Sequence, residues 1–182
     1  MAKVLMILST GFEEIEAITV IDILRRAGIE VTTSTINDQL TSGAHSINIQ
    51  ADTTLDKIQS DDYDMVVLPG GGVNTSNLAS DALTLKTLKD FKNNDKYVAA
   101  ICAAPFALHI ANVLNDTYTC YPGFEKKIDS AQYSDKEKVI IDKKVITSQG
   151  PATAMPFALE LVKTLTNEDI YKQVKKGLLA NT

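Results

Sequence analysis

Tryptophan is absent from this 182-residue chain, and histidine and cysteine occur only twice each. Two cysteines, Cys102 and Cys120, cannot build a disulfide framework, so stability must come from a hydrophobic core, and a reducing cytoplasm is the expected home. His45 and His109 are scattered, with none of the short ligand pairs that zinc sites favour, so neither a metal nor any other cofactor is expected. No apolar run approaches the roughly 18 residues of a membrane span. The apolar opening 3–8 is too short for a signal segment before Gly11 and the acids that follow. Lysine and arginine form no block and the net charge is −5, so nucleic acid has no electrostatic footprint to bind. Lys175-Lys176 reads as cations in a last helical turn. The remainder, 45% hydrophobic and 23% charged, is the balance of an ordinary globular chain able to bury a core.

The apolar pattern alternates between strands and helices. Segment 4–8 is apolar throughout, as a fully buried strand requires, and closes on Ser9-Thr10-Gly11. From Glu14 to Arg26, Ile15, Ile18, Ile21, Ile23 and Leu24 recur at helical spacing, and Ala27-Gly28 supplies the stop. Strands are predicted at 29–35, 63–68 and 97–101, with an edge or hairpin strand at 45–50. Ser80 is the expected cap of a helix reaching Lys92, and Pro105 opens another. Segments 139–141 and 145–147 form a hairpin through Asp142-Lys143-Lys144. A helix follows Ser148-Gln149-Gly150-Pro151 through Leu165, with Pro156 in or near its first turn, and Asn167 caps a last helix ending near Lys176. The order predicts one α/β domain, 1–182, with a parallel sheet covered on both faces.

In such a sheet, function gathers beyond the carboxyl ends of the strands. Three segments fall there: Gly11-Phe12-Glu13-Glu14-Ile15-Glu16, Pro69-Gly70-Gly71-Gly72, and Cys102 before Ala103-Ala104-Pro105. A thiol at a strand-to-helix corner faces the positive end of the helix dipole, which favours the reactive thiolate; the competing reading is a small buried hydrophobe. The glycines lack the Walker lysine and the G-x-G-x-x-G spacing of phosphate loops. Beside a nucleophile their N–H groups suit an oxyanion hole, the plain alternative being a turn that needs positive φ. Glu13 and Glu14 are read as solvated charges opening the helix. Glu16, in the first turn, faces the sheet end. A charged carboxylate there would raise the cysteine pKa, so Glu16 helps as the protonated member of a coupled pair.

These motifs, with Leu68-Pro69-Gly70-Gly71, Ala99-Ala100-Ile101-Cys102-Ala103-Ala104-Pro105 and Thr147-Ser148-Gln149-Gly150-Pro151, stand in one order along the chain. From about Lys3 to Leu179 the sequence resembles the ThiJ/PfpI superfamily, in the branch of the parkinsonism-associated protein deglycase (DJ-one type). The resemblance implies a flavodoxin-like three-layer sandwich, like that of class I glutamine amidotransferases, and a homodimer. It implies Cys102 as nucleophile and redox-sensitive thiol, Glu16 as its protonated acid, and the Gly71 and Ala103 amides as the oxyanion site. Gly70, Tyr121, His45 and Arg26 are the further pocket residues it implies, His45 reaching toward the partner's pocket in related dimers and Arg26 lying close to it.

The chain departs from that pattern at informative places. Tyr121, in Cys120-Tyr121-Pro122, stands where close relatives carry a histidine, and His45 where many carry arginine. Ala103 replaces the histidine that follows the nucleophile in the protease-like branch, so peptidase chemistry lacks its base. His109 is read as structural. Cys120 is either a buried strand residue or a resolving thiol for oxidised Cys102. Two functions follow from the resemblance. One is a glyoxalase or deglycase acting on 2-oxoaldehydes such as methylglyoxal, or on glycated protein, without cofactor; the other is a redox-responsive, chaperone-like stress protein without turnover.

Overall fold

The computed structural model describes residues 1–128 and 132–180. Its elements are β1 (Lys3–Leu8), α1 (Glu14–Arg26), β2 (Glu30–Thr35), β3 (Leu40–Ser42), β4 (Asn48–Gln50), β5 (Thr53–Thr54), β6 (Met65–Leu68), α2 (Gly72–Ser80), α3 (Ala82–Asn93), β7 (Tyr97–Ile101), α4 (Pro105–Ile110), β8 (Thr117–Tyr118), β9 (Gln132–Tyr133), β10 (Val139–Asp142), β11 (Val145–Ser148), α5 (Ala154–Leu165) and α6 (Glu168–Gly177). Seven strands form one sheet in the order β10-β11-β7-β6-β1-β2-β5. All its pairings are parallel except the β10–β11 hairpin.

Strand alternation divides the core in two. Val4, Met6 and Leu8 of β1 point to one face, with Val67, Ala99 and Ile101, and pack against Val20, Ile23 and Leu24 of α1 and Phe157 and Leu161 of α5. Leu5 and Ile7 point to the other, with Val66, Leu68, Val98 and Ala100, under Leu78, Leu88, Phe91 and Leu108 of α2, α3 and α4. The central strands are thus apolar on both sides, and each large side chain so buried stabilises the fold by about 1.5–3 kcal/mol. The expected sandwich is the fold observed.

Three local expectations are corrected. Ser80 ends α2, and Asp81 caps α3 by accepting from Thr84 N at 2.7 Å. Helix α2 itself escaped the sequence reading, because Gly-Val-Asn-Thr-Ser-Asn has the composition of a loop. On α1, Ile15 and Ile18 face outward, 57% and 44% exposed. The stripe that meets the sheet is Glu16, Ala17, Val20, Ile23 and Leu24, the i, i+1, i+4, i+7, i+8 set of one helical face. His45 lies in the turn between β3 and β4, which pair antiparallel, rather than in a strand.

Candidate functional site

The carboxyl ends of β1, β6 and β7 bring Glu16, Gly70, Gly71 and Cys102 together. Backbone bonds hold the elbow. Cys102 N donates to Ser148 O at 3.0 Å, Tyr121 N donates to Cys102 O at 2.8 Å, and Ala104 N to Ile101 O at 3.1 Å. Between these fixed points Cys102 takes φ 65°, the left-handed region that costs a non-glycine residue about 1–2 kcal/mol. This conformation turns the side chain off the strand and toward the β6 turn.

Gly70 is a glycine for lack of room. A Cβ there would come within 2.6 Å of Glu16 Oε2 and 2.9 Å of Cys102 Sγ, so acid and sulfur flank one point. Gly71 has φ 91°, and a Cβ there would strike Gly11 O. Asn74 in the first turn of α2 locks the segment: its amide donates to Pro69 O and Gly70 O at 2.9 and 3.1 Å, and its Oδ1 accepts from Ser9 N at 2.7 Å. That clamp was invisible in the sequence, since its helix was not foreseen.

Glu16 is fully buried, one of its oxygens accepting from Gly70 N at 2.7 Å. Its Oε1 has no oxygen or nitrogen partner among the described residues. Burial pushes the carboxyl up from 4.5 to about 7, against the Gly70 N–H and the Cys102 thiol, while Glu13's charge adds to the rise. Burial also pushes the Cys102 thiol up to about 12, and Glu16 adds to this by charge and by hydrogen bonding; the Gly71 and Ala103 N–H groups pull the other way. Both causes run against the expected thiolate held by a helix mouth. Helix α4 has only six residues, a weak dipole source, whereas desolvation and the acid act on the sulfur directly. The two groups compete for one negative charge, and protonating Glu16 removes both of its contributions to the raised thiol.

Glu13 and Glu14 are buried rather than solvated. Glu13 caps α1, accepting from Glu16 N at 2.8 Å, and so orients the first turn. Glu14 accepts from His45 N at 2.6 Å and meets His45 Nδ1 at 2.8 Å, fastening the β3–β4 turn. Burial opposes the Glu14 charge, but the His45 ring and N–H, with further backbone donors, hold its carboxyl below the usual range. Its partner His45 is raised by that hydrogen bond and charge. Donor atoms of Glu13, Glu14 and His45 lie within 4.8 Å of one another, but they are already engaged in these bonds.

The other expected residues fall as follows. Tyr121 is 47% exposed and its ring lies against Gly150, whose Cβ would meet it at 3.3 Å; its backbone is the one bonded to Cys102. Arg26 sits at the opposite end of α1 from Glu16, paired with Asp22 at 2.7 Å, outside the site of its own chain. Cys120 is fully buried with Tyr118 and Ile128 in a small cluster, a free thiol pushed up to about 12 by burial. His109 is half-buried on α4. Among the described residues, no helix is long and apolar enough to cross a membrane.

A buried acid–thiol pair on an elbow of a mostly parallel sandwich defines the class, and comparison places the chain within it. Residues 2–164 match the model of the DJ-1/PfpI family; the chain belongs to that family. It is 36% identical to protein dj-1beta of Drosophila melanogaster over 178 residues, 96% of this chain and 95% of that one. The crystal structure of the fly protein superimposes with TM-score 0.95, covering 98% and 97% of the two chains. A glutathione-independent glyoxalase DJ-1 of Schizosaccharomyces pombe is 28% identical over 188 residues, 98% of each chain. The structure of oxidized Toxoplasma gondii DJ-1 is 31% identical in sequence, with TM-score 0.93 over 98% of both chains.

Proposed function

We propose that the chain is a cysteine-dependent, cofactor-independent enzyme that converts 2-oxoaldehydes such as methylglyoxal to hydroxy acids such as lactate. The observation that carries this reading is the convergence of Cys102 Sγ and the Glu16 carboxyl on one point beside Gly70. The name of the fission yeast relative, a glutathione-independent glyoxalase, supports the same chemistry. Above about pH 7 the pair starts as thiol and carboxylate. As the sulfur attacks the aldehyde carbon, its proton passes to Glu16, and the carbonyl electrons move to an oxygen facing the Gly71 and Ala103 amides, which takes a proton to give a hemithioacetal. Glu16, having released its proton, removes the hydrogen on that carbon. Reprotonation at the neighbouring carbon leaves a thioester, which water splits to lactate and free thiol. One carbon is oxidised and its neighbour reduced, so no external oxidant is needed. Tyr121 in place of a histidine removes one acid–base group, which fits a slow enzyme.

The same pair supports a second reading, a redox sensor in which Cys102 is oxidised to sulfinic acid and protonated Glu16 donates to it; the similarity to oxidized Toxoplasma gondii DJ-1 favours it, while the raised thiol, less readily a thiolate, runs against it. Lactate formation from methylglyoxal by wild type and by Cys102→Ala separates the two. Turnover lost in the variant supports the enzyme, and none in either refutes it. We also propose a homodimer, supported by the outward Ile15 and Ile18 of α1 and the exposed Leu40 and Ile47 of the hairpin segment. Sedimentation of wild type against Ile15→Asp tests it, a monomeric wild type being the refuting result.

A further inference from the structure

The pole of the sheet opposite Cys102 holds a cavity of about 240 Å³ lined by Lys92, Lys96, Lys143 and Lys144, with Asp95 and Asn115. The fold assembles it from two lysine pairs some fifty residues apart in sequence. Lys92 lies in the last turn of α3 and Lys96 precedes β7, while Lys143 and Lys144 are the two turn residues of the β10–β11 hairpin, Lys143 at φ 56°. Because Val145 pairs with Val98, the hairpin turn is set beside the start of β7. Four cations around one small cavity run against a chain whose net charge is −5.

Backbone and amide oxygens position two of the ammonium groups. Lys92 Nζ donates to Val113 O at 2.9 Å and to Asn115 Oδ1 at 2.6 Å. Lys96 Nζ donates to Ser60 O and Asp61 O, both at 2.9 Å. An ammonium has three donors, so at Lys92 two are spent on neutral oxygens, which orient the charge without cancelling it, while Lys96 also has Asp61 Oδ1 3.9 Å away. Lys144 is steered by the Tyr97 ring, 4.3 Å away, and by Asp95 at 3.7 Å. Burial, and next the charge of Lys143, lower Lys92 from its ordinary value, with Asp142 and Asp116 opposing.

We propose that this cavity binds a compact phosphate-bearing anion, either free orthophosphate or the phosphate of a small phosphomonoester. Lysines act on phosphate as point charges, and the volume lies below the range of about 300–1,000 Å³ typical of larger ligands. The surrounding acids Asp61, Asp95, Asp116 and Asp142 repel an extended polyanion while leaving a small one its lysines. The site is separate from the proposed catalytic one: Val98 and Cys102 are four residues apart on an extended strand, about 13 Å.

Amide-resolved NMR titration of the full chain with orthophosphate, and separately with glycerol 3-phosphate, at constant ionic strength set with sodium chloride, tests the proposal. Saturable shifts are expected around Lys92, Val98, Asn115 and Lys144. Binding should weaken roughly tenfold or more in the Lys143→Gln/Lys144→Gln double variant, as removal of two nearby charges implies. It should be unchanged in Lys136→Gln/Lys138→Gln, a lysine pair elsewhere on the surface. Tighter binding of glycerol 3-phosphate assigns the site to a phosphomonoester, and equal binding assigns it to free phosphate. Shifts that never saturate, or that persist undiminished in the Lys143/Lys144 variant, overturn the proposal. Protection of Cys102 from alkylation by the anion would place the ligand at the other pole, and tighter binding of a single-stranded RNA would mean a nucleic-acid surface; either result also overturns it.

Discussion

Replacing Glu16 by glutamine isolates the energetic consequence of burying this acid. In the native state its carboxyl is raised from 4.5 to about 7, chiefly by burial. The folded protein therefore holds a proton that the unfolded chain releases between those values. The favourable contribution is complete below about pH 4.5, falls as pH rises, and is gone above about 7. At about 1.36 kcal/mol per pKa unit, the loss amounts to about 3 kcal/mol. Glutamine keeps an acceptor for Gly70 N and cannot ionise. Glu16→Gln should thus gain about 3 kcal/mol relative to wild type between about pH 4.5 and pH 8, a relative rise of roughly 6–12 °C in Tm for a chain of this length. Urea unfolding of both proteins across this range measures it, the titrating groups that Glu16 does not touch cancelling in the difference. A difference that stays flat with pH would mean that Glu16 ionises as an ordinary solvated acid, and the account of the coupled pair would be refuted.

The same variant should alkylate faster at Cys102 with iodoacetamide near neutral pH, because the charge and hydrogen bond that help raise the thiol are removed; an unchanged rate would show that the acid does not act on the sulfur. Gly70→Ala places a methyl within 2.6 Å of Glu16 Oε2 and 2.9 Å of Cys102 Sγ. It should cost about 1–3 kcal/mol in unfolding free energy and abolish lactate formation, whereas wild-type turnover would contradict the packed geometry. Glu14→Gln loses the charged acceptor that holds His45 N, a bond of about 1.5–3 kcal/mol. Faster amide exchange confined to residues 40–50 is expected, and exchange spread over the whole sheet would contradict a local clamp.

The elements that the sequence disclosed are those whose apolar residues meet a single environment. Residues 4–8 and 97–101 are apolar on both faces because the sheet is covered on both, and a continuous run admits no other reading between turn signals. Helix α1 was legible in extent but not in orientation. It carries apolar residues on two faces, and only the packing of β1 and α5 selects Val20, Ile23 and Leu24 over Ile15 and Ile18. Cys102 and Gly70 could be singled out because each is a residue type out of place, a thiol ending a strand and a glycine run where a strand stops; Glu16 was reached by its place in the first turn after β1 together with the family resemblance. Asn74 and Glu14 gave no such signal. An asparagine in a polar stretch and an acid in a first turn are ordinary residues, and their partners, Ser9 and His45, are 65 and 31 positions away. The pull of burial and of Glu16 on the thiol is hidden from the sequence for a related reason. The sequence announces a helix start, but neither the brevity of α4 nor the depth of the sulfur.

Local rules are broken here together and in one place. Cys102 occupies left-handed backbone, Glu16 is an acid without access to water, and the β6 turn has no space for a side chain at Gly70. Cys102 borders one core face, but apolar packing asks for neither its left-handed backbone, nor a buried acid, nor a turn without room for a side chain. Such a concentration persists only where surrounding bonds over-determine it. Here Ser148 O, Tyr121 N and Asn74 fix the backbone on either side of the pair. Strain supplies direction, aiming the sulfur at the turn, and burial supplies competition, leaving thiol and acid to contend for one charge. In the reaction proposed above, a pair so arranged transfers a proton when the sulfur forms a bond, because the acid gains the proton it lacks as the sulfur ceases to need its own. This differs from a cysteine made reactive by standing ionisation. Its reactivity is called up by the electrophile, so rate should follow the ionisation of Glu16 rather than that of the thiol.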